Sequence, residues 1–228
     1  MSSYNKQKQE VVTIDGPSGV GKSTISRRIA AELGYTYLDT GAMYRAVAFQ
    51  CSREEVDMKD KAAVNLLLNT LDIQLLPPRQ DEDEVQVLLA DEDISKAIRT
   101  PEMSMLASGV SALPAVRAKL TALQQEMGKA GKLVAEGRDT GTVVFPSAAW
   151  KFYLDAAPAE RCRRRVEQLQ KKGQQVDEQE ILAQIIQRDR NDQERTIAPL
   201  TKAKDAVWID SSQLTIEEVV TEILGHIT

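Results

Sequence analysis

The sequence predicts an α/β fold built on a five-stranded parallel sheet. Three observations predict it. Five short apolar runs, VVTID (11–15), YTYLDT (35–40), KLVAE (132–136), KFYLD (151–155) and AVWID (206–210), have the length and β-branched or aromatic content of strands. Helical periodicity fills the intervals between them, over 22–33, from about Ala42, and over about 158–172, 177–191 and 215–225. A glycine-rich turn joins the first strand to the first helix. Strands that alternate with helices close into a parallel sheet covered on both faces.

One stretch breaks the alternation. Residues 61–99 hold a short helix (61–69), then DIQLLPP (72–78), an acidic tip DEDE (81–84) and VQVLLADEDI (85–94). Two strands around a polar turn predict an antiparallel hairpin. The domain plan is therefore a core of 1–60 and 100–228 with a small inserted domain at 61–99. The acidic tip is expected to be a solvated turn, and residues 1–9 to fray.

Composition narrows the function. The 228 residues are 42% hydrophobic and 28% charged, with a net charge of −5, the profile of an ordinary globular protein. No apolar run reaches the roughly 18 residues of a membrane span, so no membrane partner is expected. The acidic balance argues against a general nucleic-acid binder. Cys51 and Cys162 stand far apart and make no zinc framework, and a reducing, cytoplasmic setting is the expectation. The single histidine, His226, sits near the C-terminus. That argues against a histidine base, a Ser-His-Asp triad or a histidine-rich metal site.

The strongest motif is GPSGVGKS, from Gly16 to Ser23, which fits G-x-x-x-x-G-K-[ST] in a strand–turn–helix setting. Gly16, Pro17, Ser18, Gly19, Val20 and Gly21 form a loop whose N–H groups can close around a phosphate chain, at a helix N-terminus that favours anions. Lys22 is placed for the β/γ-phosphates, Ser23 for magnesium, and Thr24 follows in the first turn. The pattern points to a nucleoside triphosphate. It does not say what happens to it. No aspartate is followed by Gly at the third place, and Thr201–Asp205 has the wrong spacing for [NT]-K-x-D, so a GTPase switch is disfavoured and transfer to a small acceptor favoured.

Transfer between two phosphorylated ligands demands fixed positive charge to cancel their repulsion, and the planar fork of arginine suits phosphate oxygens. A phosphate acceptor, with its second pKa near ~6, needs no strong base. Arg45 follows the second strand in DTGAMYR (39–45), and Arg138 the third in EGRDTG (136–141). Strand carboxyl ends are where open α/β sheets bind ligands. Arg161, Arg164 and Arg165 share one helix face, with Arg163 pointing elsewhere; a solvated face carries equal weight there. Arg188, Asp192 and Arg195 span about 60° of one helix, beside the Ile181/Ile185 stripe, so they face the protein body or a cleft, with ion pairs within the helix as the alternative. Two other readings stay open: a P-loop kinase for a different small acceptor, and a nucleotide-dependent binding module without catalysis.

The segments TIDGPSGVGKST (13–24), LDTGAMYR (38–45), AEGRDTGTVVFP (135–146), RD-x-x-D-x-x-R at Arg188–Arg195 with APL (198–200), and DAVWIDSS (205–212) resemble the bacterial cytidylate kinases, a family of nucleoside monophosphate kinases. The similarity covers nearly the whole chain. It implies a three-layer P-loop kinase fold, an inserted acceptor domain at 61–99 and a short lid at about 158–173. It implies transfer of the γ-phosphoryl group of ATP to CMP or dCMP with Mg2+; a monomer is the separate expectation. Lys22, Arg138, Arg161, Arg164 and Arg188 would then be catalytic. Gly16–Thr24 would hold ATP, with Ser23 on the metal. Thr40, Arg45 and Arg138 would lie near the CMP phosphate together with Arg195; Ser108, Arg117 and Asp139 would read the base; Arg188 and Asp192 would hold the ribose. A carboxylate suits cytosine because it accepts from the exocyclic amine. Ser108 and Arg117 lie about 180° apart on one continuous helix, so they can share a base only if the chain bends, for which Leu113-Pro114 is the expected place.

Overall fold

A computed structural model of the chain describes residues 9–78, 84–171 and 173–227. Residues 1–8 of the expected frayed start and 81–83 of the acidic tip lie outside the described residues. The chain forms two compact units, Met1–Tyr37 with Gly128–Thr228, and Leu38–Met127.

Five of the strands form one parallel sheet. Strands β1 (Gln9–Asp15), β2 (Thr36–Asp39), β6 (Leu133–Gly137), β7 (Ala148–Asp155) and β8 (Val207–Asp210) take the order β2-β6-β1-β7-β8. β1 is parallel to both β6 and β7, with Asp15 level with Gly137 and Tyr153. Residues 11–15 of β1 and all of β6 are buried, as strands covered on both faces must be. Val12, Ile14, Val134, Phe152 and Leu154 pack with Ile25 and Ile29 of α1 (Lys22–Leu33) and Val219 and Ile223 of α8 (Ile216–His226) in one core. α8 starts on a capping box, in which the Thr215 hydroxyl accepts from the Glu218 N–H and the Glu218 carboxylate accepts from the Thr215 N–H. A smaller cluster of Cys162, Leu169, Ile181 and Ile185 joins α6 (Pro158–Lys171) to α7 (Glu178–Glu194).

The second unit holds α2 (Thr40–Arg53), α3 (Lys61–Asn69), strands β3 (Ile73–Leu76), β4 (Gln86–Leu89) and β5 (Glu92–Asp93), then α4 (Pro101–Val110) and α5 (Pro114–Met127). α2 begins two residues before the expected Ala42, because the Asp39 carboxylate caps it, accepting from the Ala42 N–H at 2.9 Å. The expected two-stranded hairpin is instead a three-stranded antiparallel sheet, β3-β4-β5. VQVLLADEDI folds back on itself: Leu89 pairs with Glu92 across Ala90 and Asp91, both at positive φ (48° and 68°). That is the two-residue turn whose twist suits a tight hairpin. α4 stops at Val110 and α5 starts at Pro114, so the helix break expected at Leu113-Pro114 is present.

Candidate active site

The phosphate loop leaves β1 at Gly16, where a side chain is impossible: φ is 152°, and a Cβ would lie 2.0 Å from the Leu154 carbonyl oxygen. Farther along, Gly19 (φ 83°) would bring a Cβ within 3.3 Å of the Arg161 Cβ. The loop is thus wrapped closely over the end of β7 and the first turn of α6. Lys22, at the head of α1, is buried, and its Nζ donates to the Gly16 and Pro17 carbonyls at 2.8 and 2.6 Å. Ser23 beside it is exposed, and Thr24 half-buried.

Four arginines of the first unit gather around this loop and the end of α7. Arg161 is a strut, 3% exposed. Its Nε donates to the Ala156 carbonyl (2.9 Å), its Nη1 to the Ser18 carbonyl (3.1 Å) and its Nη2 to Asp189 (2.6 Å). Arg188 Nη1 donates to the Ser18 hydroxyl at 3.1 Å. Arg138, the residue directly after β6, donates through Nε to Asp192 Oδ2 at 2.8 Å. Arg195 donates to Asp139 Oδ1 at 3.3 Å and to the Ala198 carbonyl at 2.6 Å.

The charges act on one another. Burial, then Arg138, and then Arg188 against the pull of Glu136 and Asp15, push the Lys22 ammonium well below its ordinary value. Burial alone would raise the Asp192 carboxyl, but Arg138, Arg188 and Arg195 outweigh it and hold it below the usual range. Burial likewise works against the Arg138 cation, and Asp192, with Glu136 and Asp189, more than reverses it. A buried lysine crowded by two arginines concentrates positive charge beside the loop, which favours an anion there.

The other arginines of α6 separate. Arg164 donates to Glu160 at 2.8 Å and to the Ser211 carbonyl at 2.5 Å, and the Ser211 hydroxyl donates to the Val20 carbonyl of the loop at 3.3 Å. Arg165, expected on the same face, bonds Gln168 of its own helix at 2.7 Å. Arg163 points elsewhere, as expected, to Glu160 and Glu167. Its bonds to Glu160, opposed by burial and aided by Arg164, bring that carboxyl down to about 2. Arg195 departs from the helical arc that predicted it. α7 ends at Glu194, and Arg195 has the extended backbone of a cap (φ −62°, ψ 138°). It still turns toward the protein body.

In the second unit, Asp39 Oδ2 accepts from Arg45 Nη2 at 2.9 Å, and the Arg45 Nε is buried with no hydrogen-bond partner. Thr40 is buried at the start of α2. Arg117, 4% exposed, lies 5.6 Å over the Tyr44 ring and donates to the Ser111 carbonyl at 3.2 Å. Ser108 is half-buried one turn before the helix break, its carbonyl accepting from the Ser111 hydroxyl at 2.8 Å.

Of the residues expected at the site, Lys22, Arg138, Asp139, Arg161, Arg164, Arg188, Asp192 and Arg195 therefore belong to the first unit, and Thr40, Arg45, Ser108 and Arg117 to the second. Sequence reasoning did not single out Asp15, which accepts three hydrogen bonds from Thr140 and Gly141, nor Glu136, to which Tyr37 donates. The signal for both was their place at the carboxyl ends of neighbouring strands. Among the described residues no group of three or more His, Cys, Asp or Glu could hold a metal ion. The exposed Ser23 hydroxyl suits Mg2+, which keeps few protein ligands and takes phosphate and water oxygens for the rest.

The cytidylate kinase family model matches residues 12–228. The cytidylate kinase of Syntrophotalea carbinolica is 48% identical over 217 residues, covering 95% of this chain and 91% of that one. The cytidylate kinase of Pasteurella multocida is 45% identical over 217 residues, covering 95% and 94%. A solved structure of an uncharacterized protein from Eubacterium ventriosum superposes with a TM-score of 0.50 at 12% identity, over 96% of this chain and 98% of that one, a likeness of fold alone. On a family match over residues 12–228 and 48% identity across 95% of its length to a curated relative, the chain belongs to the cytidylate kinase family.

Proposed function

We propose that this chain transfers the γ-phosphoryl group of ATP to CMP or dCMP, giving ADP and CDP or dCDP. The observation that carries the reading is the grouping of Lys22, Arg138 and Arg188. Arg188 bonds the Ser18 hydroxyl of the phosphate loop. One turn farther along the same helix, Asp192 grips Arg138. Three cations around one loop supply the positive charge that two phosphorylated ligands need when they meet.

The loop N–H groups and the start of α1 receive the triphosphate. Lys22 exchanges the Gly16 and Pro17 carbonyls for phosphate oxygens. The Ser23 hydroxyl would hold Mg2+, which would supply charge neutralisation for the triphosphate. Arg138, Arg188 and Arg195 take the acceptor phosphate, with Thr40 and Arg45 serving the same group. An oxygen of that phosphate is the nucleophile. It is ionised at neutral pH, so no side chain has to remove a proton. Asp192 and Arg188 hold the ribose, and Asp139, Ser108 and Arg117 select cytosine: Asp139 accepts from the exocyclic amine, whereas uracil sets an acceptor oxygen against it. Residues 61–99 act as the acceptor domain and about 158–173 as a lid that excludes water, with the protein working as a monomer in the cytoplasm.

The test is a coupled assay of ADP release with ATP and a panel of CMP, dCMP, UMP and AMP. Turnover concentrated on CMP and dCMP is expected. Substantial turnover of UMP or AMP with little of CMP would reject the cytosine assignment. CMP binding without turnover of any acceptor would favour a binding module.

A further inference from the structure

Asp15 is the last residue of β1, and the phosphate loop opens on the next residue, Gly16. Its carboxylate, 4% exposed, reaches the turn after β6. Oδ1 accepts from both the N–H and the hydroxyl of Thr140, each at 2.8 Å, and Oδ2 accepts from the Gly141 N–H at 2.8 Å. The turn lies tight against the strand: a Cβ on Gly141 would sit 2.8 Å from the Thr13 hydroxyl and 3.4 Å from Asp15 Oδ2.

That turn is a wide, π-helical one, Thr140–Val144, and it starts directly after Arg138 and Asp139. Those two are fastened on their other side, Arg138 to Asp192 and Asp139 to Arg195. All four residues from 138 to 141 are therefore held, the first two by side chains to the end of α7 and the last two by one buried carboxylate on β1. A carboxylate is the group this geometry requires. It offers acceptors on both oxygens, whereas an amide would turn an NH2 toward an N–H or hydroxyl donor. Burial raises the Asp15 carboxyl against the lowering effect of the Gly141 and Thr140 N–H groups.

We propose that Asp15 is a positioning residue for phosphoryl transfer, fixing Arg138 and Asp139 in relation to the phosphate loop that begins one residue after it. The role rests on the kinase reading above. It predicts a division of effects. The loop's grip on ATP is set by its own backbone and Lys22, so Asp15 governs the acceptor side and the transfer step.

The experiment measures kcat, the KM for CMP, and ATP affinity by calorimetry for the full chain, for Asp15→Asn and for Thr140→Val. The second variant removes only the hydroxyl bond and protects the test if the first fails to fold. For Asp15→Asn, kcat should fall on the order of 10²-fold, the scale of a small misplacement of catalytic groups, with a raised KM for CMP and a much smaller loss of ATP affinity, since the Asp15 charge also acts on Lys22. For Thr140→Val, kcat should fall about fivefold, the worth of one net hydrogen bond, with ATP affinity unchanged. Wild-type kcat and CMP KM in a folded Asp15→Asn, or in Thr140→Val, would overturn the role. A parallel loss of ATP affinity, CMP turnover and Tm would also overturn it, leaving Asp15 as a support of the fold only. A wild-type chain that turns over no CMP would defeat the kinase reading itself, and this role with it.

Discussion

Arg138 and Asp192, 54 residues apart in the chain, meet through a 2.8 Å hydrogen-bonded ion pair whose side chains are only 16% and 5% exposed. The pair joins the end of β6 to the last turns of α7, and it decides which way the Arg138 guanidinium points. Its removal tests both stability and function. In Asp192→Asn a buried arginine keeps a weaker acceptor and loses its counter-charge. A loss of about 3 kcal/mol is expected, or roughly 6–12 °C in Tm for a chain of this size, together with a raised KM for CMP. The pH dependence has a fixed sign. The Asp192 carboxyl is held below its ordinary 3.8, so its stabilisation is complete above that value and is lost as pH falls through the lower, folded-state value. The Tm gap between wild type and variant should be wide at pH 7 and close in acid. A gap that stays constant down to the acid limit would contradict the pairing.

Lys22→Ala should lower kcat/KM by on the order of 10²–10³-fold, the cost of one missing donor to developing charge. Its Tm should stay near that of the wild type, because the variant removes a buried ammonium repelled by Arg138 and Arg188 along with its two carbonyl bonds. Steady-state kinetics and a thermal melt on the same preparation check this. Turnover like the wild type, or a collapse of Tm, would count against the role.

Asp139→Ala is expected to lower the ratio of kcat/KM for CMP over UMP on the order of tenfold, the worth of a charge-assisted hydrogen bond. Because Asp139 also holds Arg195, the absolute rate with CMP falls too, so the ratio is the informative quantity. An unchanged ratio means that another group reads the base.

Arg161→Lys keeps the charge and loses the fork. A lysine cannot serve the Ala156 carbonyl, the Ser18 carbonyl and Asp189 together, as Arg161 does. The KM for ATP should rise about fivefold or more while the KM for CMP stays constant. Equal changes in both would show that Arg161 does not act through the loop.

Much of the fold was legible because the punctuation is strong. Five apolar runs gave the five sheet strands within one to three residues, and Lys61–Asn69 and Lys22–Leu33 came out with the same bounds. Pro114 announced the break that separates Ser108 from the Arg117 helix. β5 was missed because its turn is Ala90-Asp91, and neither residue advertises the positive φ it adopts. The site was legible as a set of residue types and less so as pairs. Helical spacing turned Arg188 and Asp192 toward the body, but it could not say that Asp192 meets Arg138 or that Asp139 meets Arg195, since those pairs span 54 and 56 residues. Arg195 was placed on a helix that stops one residue before it. Arg161 resembled its neighbours Arg164 and Arg165 in sequence, and only burial separates the strut from the surface.

A crystal structure of the chain with CMP and ADP bound tests the arrangement of these arginines most directly. The CMP phosphate is expected within hydrogen-bond distance of the Arg138 and Arg188 guanidinium groups, and the cytosine amine at the Asp139 carboxylate. Density for CMP at any other place, with Arg138 and Arg188 contacting no ligand phosphate, would contradict it.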